Sequence, residues 1–182
     1  MVKKLKQQYE TPNEGWSEER INKEDQLLEE YGLKNKREVY KAESKLRGFR
    51  REARKLIASE DEDRRQDLVR KTHSLGLIKE DGGLEDILTL NTTDLLDRRL
   101  QTAVERKGFA DTALEARQLV NHGHVEIEGD RVTVPGYLLT QEEEKKVTVE
   151  LPEPEEEPEE VEEEVEEESE TEENEEDEEA EE

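Results

Sequence analysis

The chain has 182 residues, of which 45% are charged and only 29% hydrophobic, with a formal net charge of −26. It contains no cysteine, which excludes disulfides and thiolate metal centres, and no apolar run near the roughly 20 residues that span a bilayer. The average conceals a division: residues 151–182 hold 22 of the 54 acidic residues and no Lys or Arg, so residues 1–150 keep 32 acidic against all 28 basic ones, a net of −4.

The opening Met1-Val-Lys-Lys-Leu-Lys lacks the apolar centre of a signal peptide, so a cytoplasmic protein is expected, with no membrane partner. Tyr9, Thr11-Pro12-Asn13, Gly15 and Trp16 read as an extended arm whose rings insert into the body or a partner. Among polar and acidic neighbours, Trp16 is expected to be a buried anchor rather than a stacking platform. A helix carrying Ile21, Leu27, Leu28 and Tyr31 should stop at Gly32. A longer one is expected from Lys36 to Ala58, with Val39, Ala42, Leu46, Phe49, Ala53, Leu56 and Ile57 recurring every three or four residues.

That second helix lies in a basic region: residues 34–71 hold 14 Lys or Arg against 8 Asp or Glu. Arg47, Arg50, Arg51 and Arg54 fall on roughly one side, with Lys55 beside them. Charged helix faces are ordinarily just solvated, but guanidinium groups at this density suit bidentate phosphate contacts. Residues 59–63 read as an acidic turn, 64–77 as a short helix ending at Gly76, and Gly82-Gly83 as a loop before Leu84, Ile87 and Leu88.

Thr92-Thr93-Asp94 supplies N-cap candidates for a helix reaching about Lys107, with Leu96, Leu100, Ala103 and Val104 as its buried stripe. Arg98, Arg99, Arg106 and Lys107 would project from it as a cationic rim. Asp111 or Thr112 caps a further helix over 113–121, placing Arg117 and Asn121, four apart, on one exposed side. After His122-Gly123, strict alternation turns Val125 and Ile127 inward; Gly129-Asp130 signals a hairpin, Val132 and Val134 continue the inner face, and 146–150 can add a strand. The fold class expected is α+β: a helical N-terminal domain (1–92), then two helices on a small antiparallel sheet (93–150), then a disordered Glu-rich tail (151–182).

These segments resemble a known family. Leu95-Leu-Asp-Arg-Arg-Leu-Gln-Thr-Ala-Val-Glu-Arg-Lys-Gly-Phe-Ala110, Ala116-Arg-Gln-Leu-Val-Asn-His-Gly-His-Val125 and Val132-Thr-Val-Pro135 are similar to the small RNA-binding domain of the S-four family of small-subunit ribosomal proteins. Tyr9-Glu-Thr-Pro12, Tyr31-Gly-Leu-Lys-Asn-Lys36 and Arg50-Arg-Glu-Ala-Arg54 resemble its archaeal and eukaryotic branch, so the likeness runs over roughly 6–139. The resemblance implies a structural constituent of the small subunit that binds small-subunit (16S-type) rRNA, nucleates assembly of the subunit body and contributes to decoding accuracy where mRNA enters. Its partners would be that rRNA, neighbouring small-subunit proteins and mRNA. By the same likeness Arg99 and Leu100 match the opening of the RNA motif, Leu100 being better suited to the core. Thr112 matches its usual Ser or Thr, and Arg117, Gln118, Asn121, His122, Gly123 and His124 match the helix and turn that approach RNA. Arg131, next to the hairpin, completes the expected surface.

The residues alone agree in chemistry. Arginines and Lys107 can bond phosphates, Asn121 and Gln118 can read 2′-hydroxyls or base edges, and a glycine at the turn lets an RNA backbone come close. His122-x-His124 lacks the companions of a metal pair, and no catalytic constellation or phosphate-binding glycine loop stands out, so neither a cofactor nor enzymatic activity is expected. A free-standing RNA chaperone with the same small domain is the alternative; it has no need of the helical region or the Tyr-Glu-Thr-Pro arm. The tail reads as a solvating appendage, or as a competitor for the protein's own cations. Family members are strongly basic, and the near-neutral body here points to a salt-rich cytoplasm and an archaeal source.

Overall fold

The computed structural model describes residues 7, 9–14, 16–59 and 61–150. The readings of 151–182 as a separate disordered tail, and as a competitor for the protein's cations, lie outside the described residues. The first helix, α1 (Glu18–Glu30), begins with two glutamates at its positive end and gives way at Tyr31 to Gly32, whose φ is +53°. Asn35 caps α2 (Lys36–Ile57) by accepting the Arg37 N–H at 3.1 Å. Most of the expected stripe is buried: Val39, Ala42, Leu46, Ala53 and Leu56 face inward and Phe49 packs half-buried against them, whereas Ile57, at the end of the helix, is 46% exposed. Helix α3 (Glu62–Ser74) starts earlier than expected, with Glu62 and Asp63 in its first turn, where their charge opposes the helix dipole. Helix α4 (Leu84–Thr89) follows the Gly82-Gly83 loop.

Two apolar clusters hold this region. Tyr31, Leu33, Val39 and Ala42 gather around Leu96, whereas Leu46, Ala53, Leu56, Leu68, Ile87 and Leu90 gather around Leu95. Adjacent leucines of the next helix thus serve both clusters.

The single helix expected from Thr92 to Lys107 is broken into α5 (Thr92–Asp97) and α6 (Leu100–Arg106). The residue before α5 is Asn91, whose N–H donates to the Asp94 carboxylate at 2.7 Å, so the start lies just before the expected cap candidates. At Arg99 the backbone is extended and pairs with Leu138 as an isolated bridge. Leu100 N–H donates to Tyr137 O at 2.8 Å and Leu139 N–H to Arg98 O at 3.0 Å. These long-range bonds replace the helical ones at the break, and propensity is too weak to oppose them.

Helix α7 (Ala113–His122) is capped by Thr112, which accepts from Glu115 N–H at 3.2 Å, and is closed by Gly123 at φ +79°. Strands β1 (Val125–Ile127), β2 (Asp130–Arg131) and β3 (Val147–Val149) form an antiparallel sheet of order β2-β1-β3, and helix α8 (Gln141–Lys145) precedes β3. Ile127 pairs with Asp130, so the hairpin loop is Glu128-Gly129, one residue before the expected pair. Both loop residues have positive φ, +56° and +92°, the combination that matches a two-residue turn to strand twist. Because β2 ends at Arg131, Val134 never joins the inner face and is 57% exposed. Leu100, Ala103, Val104, Ala116, Val120, Val125, Ile127, Leu139 and Val147 form the core here, with Phe109 against it. Trp16 is not an anchor: it is 95% exposed, whereas Tyr9 packs beside Tyr40 at 6.3 Å between ring centres.

The joint between the helical region and the small sheet unit depends on Gly32. A Cβ there would lie 3.0 Å from both the carbonyl carbon and the Cβ of Ala113. Gly32→Ala should therefore lose about 1–3 kcal/mol through left-handed strain plus crowding. Gly129→Ala, where a Cβ meets nothing within 4 Å, adds strain alone. Urea unfolding checks the order; equal losses would mean that crowding at Gly32 contributes nothing.

Candidate nucleic-acid interface

Helical spacing brings Arg47, Arg50, Arg51 and Arg54 together around an open cavity of about 610 Å³ that also touches Glu43 and Thr92. The four are not equivalent. Arg47 pairs with Glu10 of the arm, and the Arg50 guanidinium donates to the Leu90 carbonyl just past α4. Arg51, Arg54 and Lys55 are exposed and have no side-chain partner among the described residues.

The expected rim of the small unit is mostly turned inward. Arg99 is buried, 6% exposed, and pairs with Glu38 of α2 at 2.6 Å. Arg117 reaches the other Glu38 oxygen at 2.6 Å, so it does not share the open side with Asn121. Arg98 bonds Glu144 at 2.7 Å, and Arg106 meets the same carboxylate while remaining half-exposed. Lys107 donates to the Val147 carbonyl at 3.3 Å. Helical phase alone placed these arginines on an open rim; partners 38 to 79 residues away in sequence, on α2 and α8, hold them instead.

What remains open on the small unit lies along α7 and its end. Thr112, Gln118, Asn121 and His122 are exposed, His124 is partly buried, and the two histidine rings stack at 6.4 Å. Gly123 is buried, because the Arg131 stem crosses it: a Cβ would sit 2.9 Å from Arg131 Cδ. The glycine admits Arg131 rather than an open approach, and the exposed Arg131 is set beside the histidine turn.

Buried polar groups knit the joint. Gln101 Nε2 donates to the carbonyls of Tyr31 at 2.9 Å and Ala113 at 2.8 Å, and its Oε1 accepts from Arg117 at 3.2 Å. Tyr31 Oη donates to Asp97 at 2.7 Å; burial first, then that acidic partner, pushes its phenol up. Burial alone would raise the Glu38 carboxyl, but hydrogen bonds from Arg117 and Arg99 hold it below the usual carboxylate value. Glu144 is likewise lowered: burial opposes, and Arg98 and Arg106 prevail.

Two cations absent from the expected surface, Lys41 and Lys45, line a groove together with Arg99, Arg117 and residues 134–136. Their spacing on α2 was visible in the sequence; the wall facing them, some 90 residues on, was not.

The S4 domain family model matches residues 98–145. The chain is 47% identical over 136 residues to small ribosomal subunit protein uS4 of Halobacterium salinarum, covering 75% of this chain and 80% of the relative. It is 46% identical over 149 residues to small ribosomal subunit protein uS4 of Saccharolobus solfataricus, with 80% and 82% covered. It is 44% identical to the protein of that name from Methanocella arvoryzae, with 76% and 73% covered.

The Glu38 carboxylate predicts a pH dependence of stability. Its pKa is lower folded than unfolded, so its contribution is complete above the ordinary value of 4.5 and is lost as pH falls through the folded value. Glu38→Gln leaves Arg99 and Arg117 facing a neutral amide and should cost about 3–5 kcal/mol at pH 7. Its acid limb should also be flatter than that of the unsubstituted chain. Urea midpoints from pH 3 to 7 test this against the exposed control Glu52→Gln; a parallel acid limb would refute it.

Proposed function

This chain belongs to the uS4 family of small ribosomal subunit proteins, and on that premise we propose that it is a structural, non-catalytic component of the small subunit that binds small-subunit rRNA directly. The observation that carries the reading is a division among its cations. In a chain with 54 acidic residues, Arg51, Arg54 and Lys55 on α2 and Arg131 on β2 still stand exposed and without an ion-pair partner among the described residues. Free cations in an acid-rich protein suit phosphate contact, because a carboxylate could otherwise have neutralised them. Gln118, Asn121 and His122 add donors and acceptors for 2′-hydroxyls and base edges. Arg98, Arg99 and Arg117 take a different role in this reading: they hold the binding surface in shape.

The reading extends to nucleating assembly of the subunit body and to decoding accuracy where mRNA enters, with neighbouring small-subunit proteins and mRNA as further partners on cytoplasmic ribosomes. A preorganised protein suits assembly, since it orders RNA without first paying for its own folding. The domain division at 92/93 is retained as a functional one, with a binding face on each side of it. The helical region speaks against a free-standing chaperone, because its α2 carries the largest group of unpaired cations.

Arg51→Gln with Arg54→Gln should weaken binding to transcribed small-subunit rRNA and reduce the log–log salt slope by about 0.7–0.9 per lost contact. Arg99→Gln should instead lower the unfolding midpoint. An unchanged salt slope in the double variant would remove α2 from the interface. Tagged protein in native lysate should sediment with the small subunit, and its absence from those fractions would overturn the assignment.

A further inference from the structure

The groove beside α2 is distinct from the exposed face assigned above. Lys41 and Lys45 stand one helical turn apart on one wall, and residues 134–136 form the other. Leu95 and Leu96, both buried in the core, lie beneath it, and the space is about 380 Å³. That volume lies in the range of small-molecule pockets and is far too small to admit a duplex. The far wall is fixed: besides the bonds of Tyr137 and Leu139 to the α5–α6 break, Gln101 N–H donates to the Pro135 carbonyl at 3.4 Å. The groove is therefore pre-formed.

Its charge is one-sided. Lys41, Lys45, Arg99 and Arg117 surround a single carboxylate, Glu38, which is already shared between the two arginines. Neither lysine has an acidic partner among the described residues. Burial of its inner part, and then the nearby Arg99 and Lys41 cations, hold the Lys45 ammonium below the usual lysine value. An arriving anion would relieve that repulsion. The apolar wall asks for more than an anion, since a bare phosphate would leave the 57% exposed Val134 and the partly exposed Pro135 uncovered.

We propose that this groove takes one unstacked nucleotide of the bound RNA, with its phosphate on Lys41 and Lys45 and its sugar and base against the Val134–Pro135 wall. Apolar and cationic surfaces side by side match the two ends of a splayed nucleotide, which single-stranded RNA presents and a helix does not. The inference rests on the rRNA-binding reading and adds to it a single-stranded contact.

The test uses the full chain with transcribed small-subunit rRNA. Lys41→Gln with Lys45→Gln should weaken binding tenfold or more and flatten the log–log salt slope by about 1.4, two single-strand contacts at roughly 0.7 each. The unfolding midpoint should stay near that of the unsubstituted protein, because neither lysine is in the core. Val134→Trp, filling the groove from its exposed rim, should weaken binding similarly. Val134→p-benzoylphenylalanine should photo-cross-link to one unpaired nucleotide, and the lysine substitutions should abolish that cross-link. Indifference of rRNA affinity to the lysine pair and to Val134→Trp, or cross-links scattered over paired nucleotides, would overturn the proposal while leaving the broader reading intact. Cross-linking within assembled subunits to a protein rather than rRNA would overturn it in favour of an acidic protein partner. Saturable binding of adenosine 5′-monophosphate that prevents the cross-link, without weakening rRNA binding, would reassign the groove to a free nucleotide. Failure of the unsubstituted chain to bind rRNA would overturn both readings together.

Discussion

One carboxylate joins the helical region to the sheet unit. Glu38 projects from the first turns of α2, and its two oxygens receive Arg99, from the break between α5 and α6, and Arg117, from α7, each at 2.6 Å. Buried ion pairs seldom add much net stability over apolar packing, yet removing one partner is costly because the other charges stay behind. Specificity is what such a triad supplies here. An apolar contact between α2 and α7 could slide, whereas two guanidinium forks on one carboxylate tolerate one relative position. Gln101 extends the constraint, binding the carbonyls at the end of α1 and the start of α7. The groove, the α5–α6 break and the close packing at Gly32 all sit on this joint.

Much of the architecture was legible because local rules decide it. The apolar period of α2 and the Thr112 cap of α7 appear in the structure as the sequence implies them, and so does the Val125–Ile127 alternation. The misplacements have a common origin in contacts distant along the chain. The segment 92–107 contains no Gly or Pro that would break a helix; it breaks because residues 137–139, about forty positions on, bond to its backbone at 98–100. Helix α8 is not among the expected elements, although Thr140 and Glu143 form a reciprocal capping box, with Thr140 N–H on the Glu143 carboxylate at 2.8 Å and Glu143 N–H on Thr140 Oγ1 at 3.2 Å. That signal was local and available. The hairpin displacement was not decided by the alternation, because a turn at either position keeps Val125, Ile127 and Val132 on one face; the turn falls on Glu128-Gly129, and Ile127 then pairs with Asp130.

The candidate site was legible in composition more than in geometry. Arginine content marks a surface that handles negative charge without saying whose charge it is. Arg51 and Arg99 are the same residue type at comparable helical spacings; one stands in solvent and the other against Glu38. Only the position of the acidic partner distinguishes a cation left open to solvent from an internal strut, and that position is a tertiary fact. Trp16 teaches the converse lesson. Its ring would ordinarily be expected inside, and the fold leaves it 95% exposed on an arm whose Tyr9 does pack against the body.

Acidity in this protein is therefore not a uniform coating. Glu38, Glu144 and Glu10 neutralise arginines that would otherwise repel one another or face the core, and each does so at a contact between separate elements. A surface made acidic without regard to position would also have paired Arg51, Arg54 and Arg131. Because binding to RNA rests on phosphate neutralisation and weakens steeply with salt, each contact contributes less as ionic strength rises, and more unneutralised cations are needed to hold the same affinity. Surface pairs are screened at the same time, whereas a partly buried joint such as Glu38 with Arg99 and Arg117 is screened much less. Internal pairing and external exposure thus act together: the first keeps the surface in shape, and the second leaves cations open to a polyanion in a chain that is itself an anion.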